Sequence, residues 1–150
     1  VSNVLFVCVA NAGRSVMAER IFNRLAAGRH AARSAGSAPG EAPHPAVVEA
    51  LAEIGLDASD HVPRKLDAEL LAWADLAVST CGEEACPTTP GLRRLSWDLP
   101  DPKDLPLDRV RPIRDEIEAR VAALVRELDA QPPRHSEPAR EMAPGEPRDA

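Results

Sequence analysis

Cys8-Val9-Ala10-Asn11-Ala12-Gly13-Arg14-Ser15 gathers the groups that bind and attack a tetrahedral oxyanion. An apolar run, Val4-Leu5-Phe6-Val7, leads into these residues, and a helical pattern follows them. A helix start offers unpaired N–H groups and the positive end of the helix dipole, and both favour an anion. The same field stabilises a thiolate, so Cys8 is the candidate nucleophile, with a hydroxyl hydrogen bond from Ser15. Arg14 adds a permanent charge and a planar fork that fits two oxygens of one anion, in the ground state and in a trigonal-bipyramidal transition state. Gly13 permits close backbone approach. Asn11 either fixes the loop through side-chain bonds to backbone or is a simple turn residue. Val9, Ala10, Asn11, Ala12, Gly13 and Arg14 are therefore the candidate substrate-binding residues. The spacing Cys-x5-Arg is weak alone; the following Ser and the strand-loop-helix context sharpen it. The competing reading of Cys8 is a buried thiol at a strand end.

A leaving oxygen needs a proton. Asp101 is the candidate general acid, and Pro102 after it restricts its backbone to extended conformations. Asp98 competes from three residues earlier. Cys81 and Cys86 leave three readings open. Their spacing is compatible with zinc, but no second pair stands near and His30, His44, His61 and His135 are scattered. They could be inert buried thiols. Or they form a redox pair in a segment that rearranges, with Gly82, Pro87, Pro90 and Gly91 around them; together with Cys8, three thiols could then exchange in sequence.

The elements that must position these groups alternate strand and helix. Strands are expected at residues 3–7, 31–35, 76–79 and 93–97. Helices are expected at about 16–27, 45–54, 67–73 and 107–128. The last carries Val110, Ile113, Ile117, Val121, Leu124 and Leu128 at steps of three and four. Such alternation predicts an α/β fold with a four-stranded parallel sheet and helices on both faces. Ligands of such sheets bind at the carboxyl ends of strands, which puts the Cys8, Cys81 and Asp101 loops on one edge.

The chain has 150 residues and 44% hydrophobic side chains, enough for one domain over residues 1–130. Residues 131–150 are rich in Pro, Glu and Arg and are expected to be a disordered tail. A net charge of −6 argues against nucleic acid or an anionic membrane as partner, so an anionic substrate must be caught by a local positive site. No apolar run approaches a bilayer span and no signal peptide precedes the first strand, so a cytoplasmic location is expected. Three cysteines, an odd count, do not suggest a secreted disulfide framework.

These residues resemble the low-molecular-weight tyrosine phosphatase fold, and within it the arsenate reductases that use a cysteine relay. The resemblance covers about residues 3–129. It rests on VLFVCVANAGRSVMAE at the start, RSAGS at 33–37, CGEEACP at 81–87, WDLPDP at 97–102 and VRPIRDEI at 110–117. The cysteine pair before WDLPDP points to the reductases. The resemblance implies that Cys8 attacks arsenate held by the loop and Arg14, while Asp101 protonates the leaving oxygen. Cys81 then attacks Cys8, arsenite leaves, and Cys86 attacks Cys81. Thioredoxin or a comparable external thiol reductant reopens the last disulfide; no bound cofactor is implied. Phosphate and sulfate would compete as oxyanions. The two later cysteines stand closer together than in the well-known thioredoxin-coupled members. Some relatives hold potassium beside the loop. Asn11, Glu19 and Ser34 match three of its ligands, but Arg64 falls where the fourth, an Asp, would be. A cation there would be repelled, and Arg64 would take its place.

Two other functions fit the same loop. A tyrosine phosphatase would work through a Cys8 phosphocysteine, but it would need a ring-stacking pocket. Here Lys103 follows Pro102, Tyr is absent, and only Trp97, Trp73 or aliphatics could build that pocket. A non-catalytic oxyanion-binding module would not need the nucleophile, the acid and the relay together. Side activity on small aryl phosphates is expected in either catalytic case.

Overall fold

The computed structural model describes residues 2–80 and 91–131. Its elements run β1 (Asn3–Cys8), α1 (Arg14–Ala26), β2 (Ala31–Gly36), α2 (Pro45–Ala52), α3 (Ala68–Trp73), β3 (Leu76–Ser79), β4 (Arg93–Ser96) and α4 (Leu107–Ala130). The four strands form one parallel sheet in the order β2-β1-β3-β4. The expected tail lies, apart from Gln131, outside the described residues.

Strand β1 is apolar from Val4 to Cys8 because both its faces are covered. Val4 and Phe6 point into a core shared with Met17, Ile21 and Phe22 of α1, Val47 and Leu51 of α2, and Ile117 and Val121 of α4. Leu5 and Val7 point the other way, onto a smaller cluster with Leu70 and Ala74 around α3. Each large side chain fully buried there contributes about 1.5–3 kcal/mol. Helix α4 buries all six residues singled out by its periodicity. It continues two residues past the expected end.

Helix α1 starts at Arg14, two residues earlier than periodicity suggests. Gly13 is its N-cap and has no side chain to announce a helix start. α1 stops where Ala27 and Gly28 take positive φ, 48° and 90°. Strand β2 is an edge, and its exposed groups are covered locally. The Asn23 side chain pairs with both the N–H and the C=O of Ala32. Gly36 pairs with the segment around Lys65.

Helices α2 and α4 are tied by one carboxylate. Glu53, just past α2, accepts from Arg111 at 2.6 Å and from Arg114 at 2.7 Å, and Arg114 also donates to the Ala50 carbonyl at 2.9 Å. The hydrogen bonds from Arg111 and Arg114 hold the Glu53 carboxyl down at about 2. A lowered carboxyl contributes stability above its ordinary value of 4.5 and loses it as pH falls through about 2. Glu53→Gln is therefore expected to melt below wild type at pH 7, with the two melting temperatures converging toward pH 2. Thermal melts across pH check this; parallel profiles would show that the carboxylate does not hold α2 to α4.

Candidate active site

The loop between β1 and α1 is held from outside by its carbonyls. Cys8 O accepts from Ser37 N (3.1 Å), Val9 O from Ala38 N (2.8 Å), Ala10 O from Gly40 N (2.9 Å) and Ala12 O from His44 N (3.0 Å). Asn11 O accepts from His61 Nε2 at 3.0 Å, and Gly13 O from Met17 N at 3.0 Å. A trans peptide points its N–H opposite to its C=O. Six outward carbonyls therefore turn the N–H groups of residues 9–14 toward the inside of the loop, a nest for an anion. The Asn11 N–H shows this directly, donating to Cys8 Sγ at 3.2 Å.

Cys8 ends β1, buried, at the floor of this cup. Its sulfur lies 2.9 Å from Ser15 Oγ. Ser15 Oγ also accepts from Asn11 Nδ2 at 2.9 Å, so its proton is free to be donated to a Cys8 thiolate. Asn11 is fully buried and sits at φ 52°, a left-handed conformation that Asn tolerates. Its Oδ1 accepts from the Arg64 N–H at 3.0 Å. Asn11 thus fixes both the loop and the serine, the stronger of its two sequence readings.

The Asp101 loop meets this cup, as the sheet-edge expectation requires. Arg14 donates to the Leu99 carbonyl at 2.9 Å, and its other terminal nitrogen lies 3.9 Å from Asp101 Oδ2. The Asp101 carboxylate is exposed at the mouth and accepts from Lys103 N at 3.0 Å. Among the described residues no such link to the cup is found for Asp98, which is exposed. Cys81 and Cys86 lie outside the described residues. Thr80, the last described residue before them, is buried and donates to the Val7 carbonyl through both N–H (2.8 Å) and hydroxyl (3.0 Å).

The cation reading can be tested on its donors. Ser34 Oγ donates to Glu19 Oε1, and Asn11 Oδ1 already accepts a main-chain N–H. Arg20, Arg33 and Arg64 line the same cleft as Glu19 and Ser34. Asp60 lines it too and pairs with Arg20 at 3.5 Å. Three guanidinium groups beside two carboxylates, with Glu19 already bonded to Ser34, do not fit a resident cation, and no step is assigned to a metal.

Two contributors have no signature in the sequence. His61 donates to the loop from fifty residues away, out of an irregular segment. Gly36 abuts the loop's backbone: a Cβ there would overlap Val9 O and stand 2.9 Å from Asn11 N. The RSAGS stretch was the only sign of it.

The chain belongs to the low molecular weight phosphotyrosine protein phosphatase family, whose pattern matches residues 3–134. An arsenate reductase of Brevibacillus brevis is 34% identical over 121 residues, spanning 79% of this chain and 90% of its own. The crystal structure of an arsenate reductase from Archaeoglobus fulgidus is 36% identical, with a TM-score of 0.70 over 81% of this chain and 98% of that one. A thioredoxin-dependent arsenate reductase from Corynebacterium glutamicum is 33% identical, with a TM-score of 0.75 over 86% of this chain. This chain spans 62% of the length of that one.

Gly36→Ala forces backbone against backbone at Val9 and Asn11, so nothing flexible can yield. It is expected to cost about 1–3 kcal/mol of stability. Phosphate is expected to raise the melting temperature of wild type and not that of the variant. Melts with and without phosphate check this. An undiminished phosphate shift would show that the loop does not depend on this contact.

Proposed function

We propose that this chain is an arsenate reductase that turns over by a Cys8-Cys81-Cys86 relay. The Cys8 thiolate attacks arsenic while Arg14 and the loop N–H groups hold the remaining oxygens. Asp101 gives its proton to the departing oxygen, which leaves as water, and a Cys8 sulfur–arsenic bond forms. The Cys81 thiolate then attacks Cys8 Sγ. The sulfur–arsenic bond breaks with its electron pair on arsenic, As(V) becomes As(III), and arsenite leaves. Cys86 attacks Cys81, releasing Cys8 as thiolate and leaving a Cys81–Cys86 disulfide. An external dithiol, thioredoxin or a comparable reductant, supplies two electrons to reopen it. Such a cycle belongs in a reducing compartment such as the cytoplasm. Among the described residues no helix is long and apolar enough to cross a membrane.

The observation that carries this reading is the anchoring of Thr80 on Val7. The chain enters the Cys81 segment from a residue bonded to the strand that ends in the nucleophile. The relatives named as arsenate reductases support it. Phosphate shares the first step with arsenate, so hydrolysis of small aryl phosphates through a Cys8 phosphocysteine is the accompanying activity.

Arsenate-dependent NADPH oxidation with thioredoxin and its reductase is the assay. Cys81→Ser is expected to bring multi-turnover reduction to background while aryl phosphate hydrolysis persists. Cys8→Ser is expected to remove both. Sustained reduction by Cys81→Ser would rule out the relay.

A further inference from the structure

Asp101 is poorly held by its own contacts. Its carboxylate is exposed, with the Lys103 N–H at 3.0 Å and Arg14 only at 3.9 Å. Its position is therefore set by its neighbours in the chain. On one side the Leu99 carbonyl is bound by Arg14. On the other, Pro102 is buried against the oxyanion loop. A Cβ built on Gly13 would stand 2.8 Å from Pro102 Cγ and 3.2 Å from His44 Cδ2. The pyrrolidine and the imidazole therefore both flank the one point that a Gly13 side chain would occupy.

His44 comes to that corner on a stiff support. It is the N-cap of α2, and its N–H is already committed to the Ala12 carbonyl at 3.0 Å. Pro43 precedes it and Pro45 follows, so its backbone is confined to the extended conformation it shows, φ −63° and ψ 135°. Its side chain makes no capping bond to α2. The ring is half-buried at the loop.

We propose that His44 is a positioning residue for the general acid: its ring braces Pro102 against Gly13 and so holds Asp101 over the oxyanion loop. The proposal rests on Asp101 being the acid. The ring acts by contact rather than by proton transfer, so a phenyl ring should replace it. Loss of the ring should hurt only reactions whose leaving group needs a proton.

The test compares wild type, His44→Ala, His44→Gln, His44→Phe and Asp101→Asn on two substrates, by kcat/KM. Phenolate leaves poorly and needs the acid; p-nitrophenolate leaves with little help. General acids contribute about 10²–10⁴-fold. His44→Ala is expected to lose about 10-fold or more on phenyl phosphate and less than about threefold on p-nitrophenyl phosphate, with inhibition by phosphate unchanged. His44→Gln carries the same expectation if the alanine variant does not fold. His44→Phe is expected to restore phenyl phosphate turnover. Equal losses on both substrates, or no recovery with Phe, would overturn the brace while leaving the acid assignment standing. An Asp101→Asn variant that loses equally on both substrates, or a wild type inactive on both, would overturn the acid assignment and the brace together.

Discussion

A carbonyl oxygen repels an oxyanion, so a loop can hold one only when its carbonyls are bound elsewhere. That constraint organises this molecule. The chain from Ser37 to His44 supplies four donors to the loop, His61 a fifth and the first turn of α1 a sixth. The segment after β2, which has no regular structure of its own, is in effect the outer wall of the anion site. Gly36 at its start lets that wall come close enough to bond. The sheet contributes the other half, because β1 delivers Cys8 to the centre of the loop and buries the residues before it on both faces.

The same construction would admit arsenate and phosphate alike. Inward N–H groups, Arg14 and a cysteine with a serine at its sulfur make a pocket for four oxygens around a small centre, whichever the centre is. In the proposed mechanism Asp101 serves either leaving oxygen. The difference lies after the first step. A phosphocysteine is opened by water, whereas an arsenic–sulfur bond can be opened by a second thiol that takes the sulfur and leaves the electrons on arsenic. Thr80, the residue before Cys81 in the chain, is tied to Val7 of β1.

The parts of this account that were legible in the sequence are those written in short-range pattern. The apolar run of β1, the spacing of α4 and the eight residues from Cys8 to Ser15 each declare themselves within a few turns of chain. The parallel four-stranded sheet followed from alternation alone, and the carboxyl ends of its strands put the Cys8 and Asp101 loops on one edge. The start of α1 was read two residues late because a glycine N-cap carries no side-chain signal. His61, Gly36 and His44 were not legible as site residues. Each reaches the loop across 25 to 50 residues, Gly36 from the end of β2, His44 from the cap of α2 and His61 from an irregular stretch, and a lone His or Gly has no period to betray it. Arg64 was expected to take a cation's place; its backbone binds Asn11, and its side chain lines the cleft beside Glu19.

In the proposed cycle Cys8 is freed by way of two other thiols. The most direct measurement is a disulfide map and free-thiol count of the fully reduced chain after reaction with arsenate in the absence of any reductant. The account predicts one thiol remaining, on Cys8, a Cys81–Cys86 disulfide, and one arsenite released per chain. Three intact thiols with arsenate unreduced would contradict it.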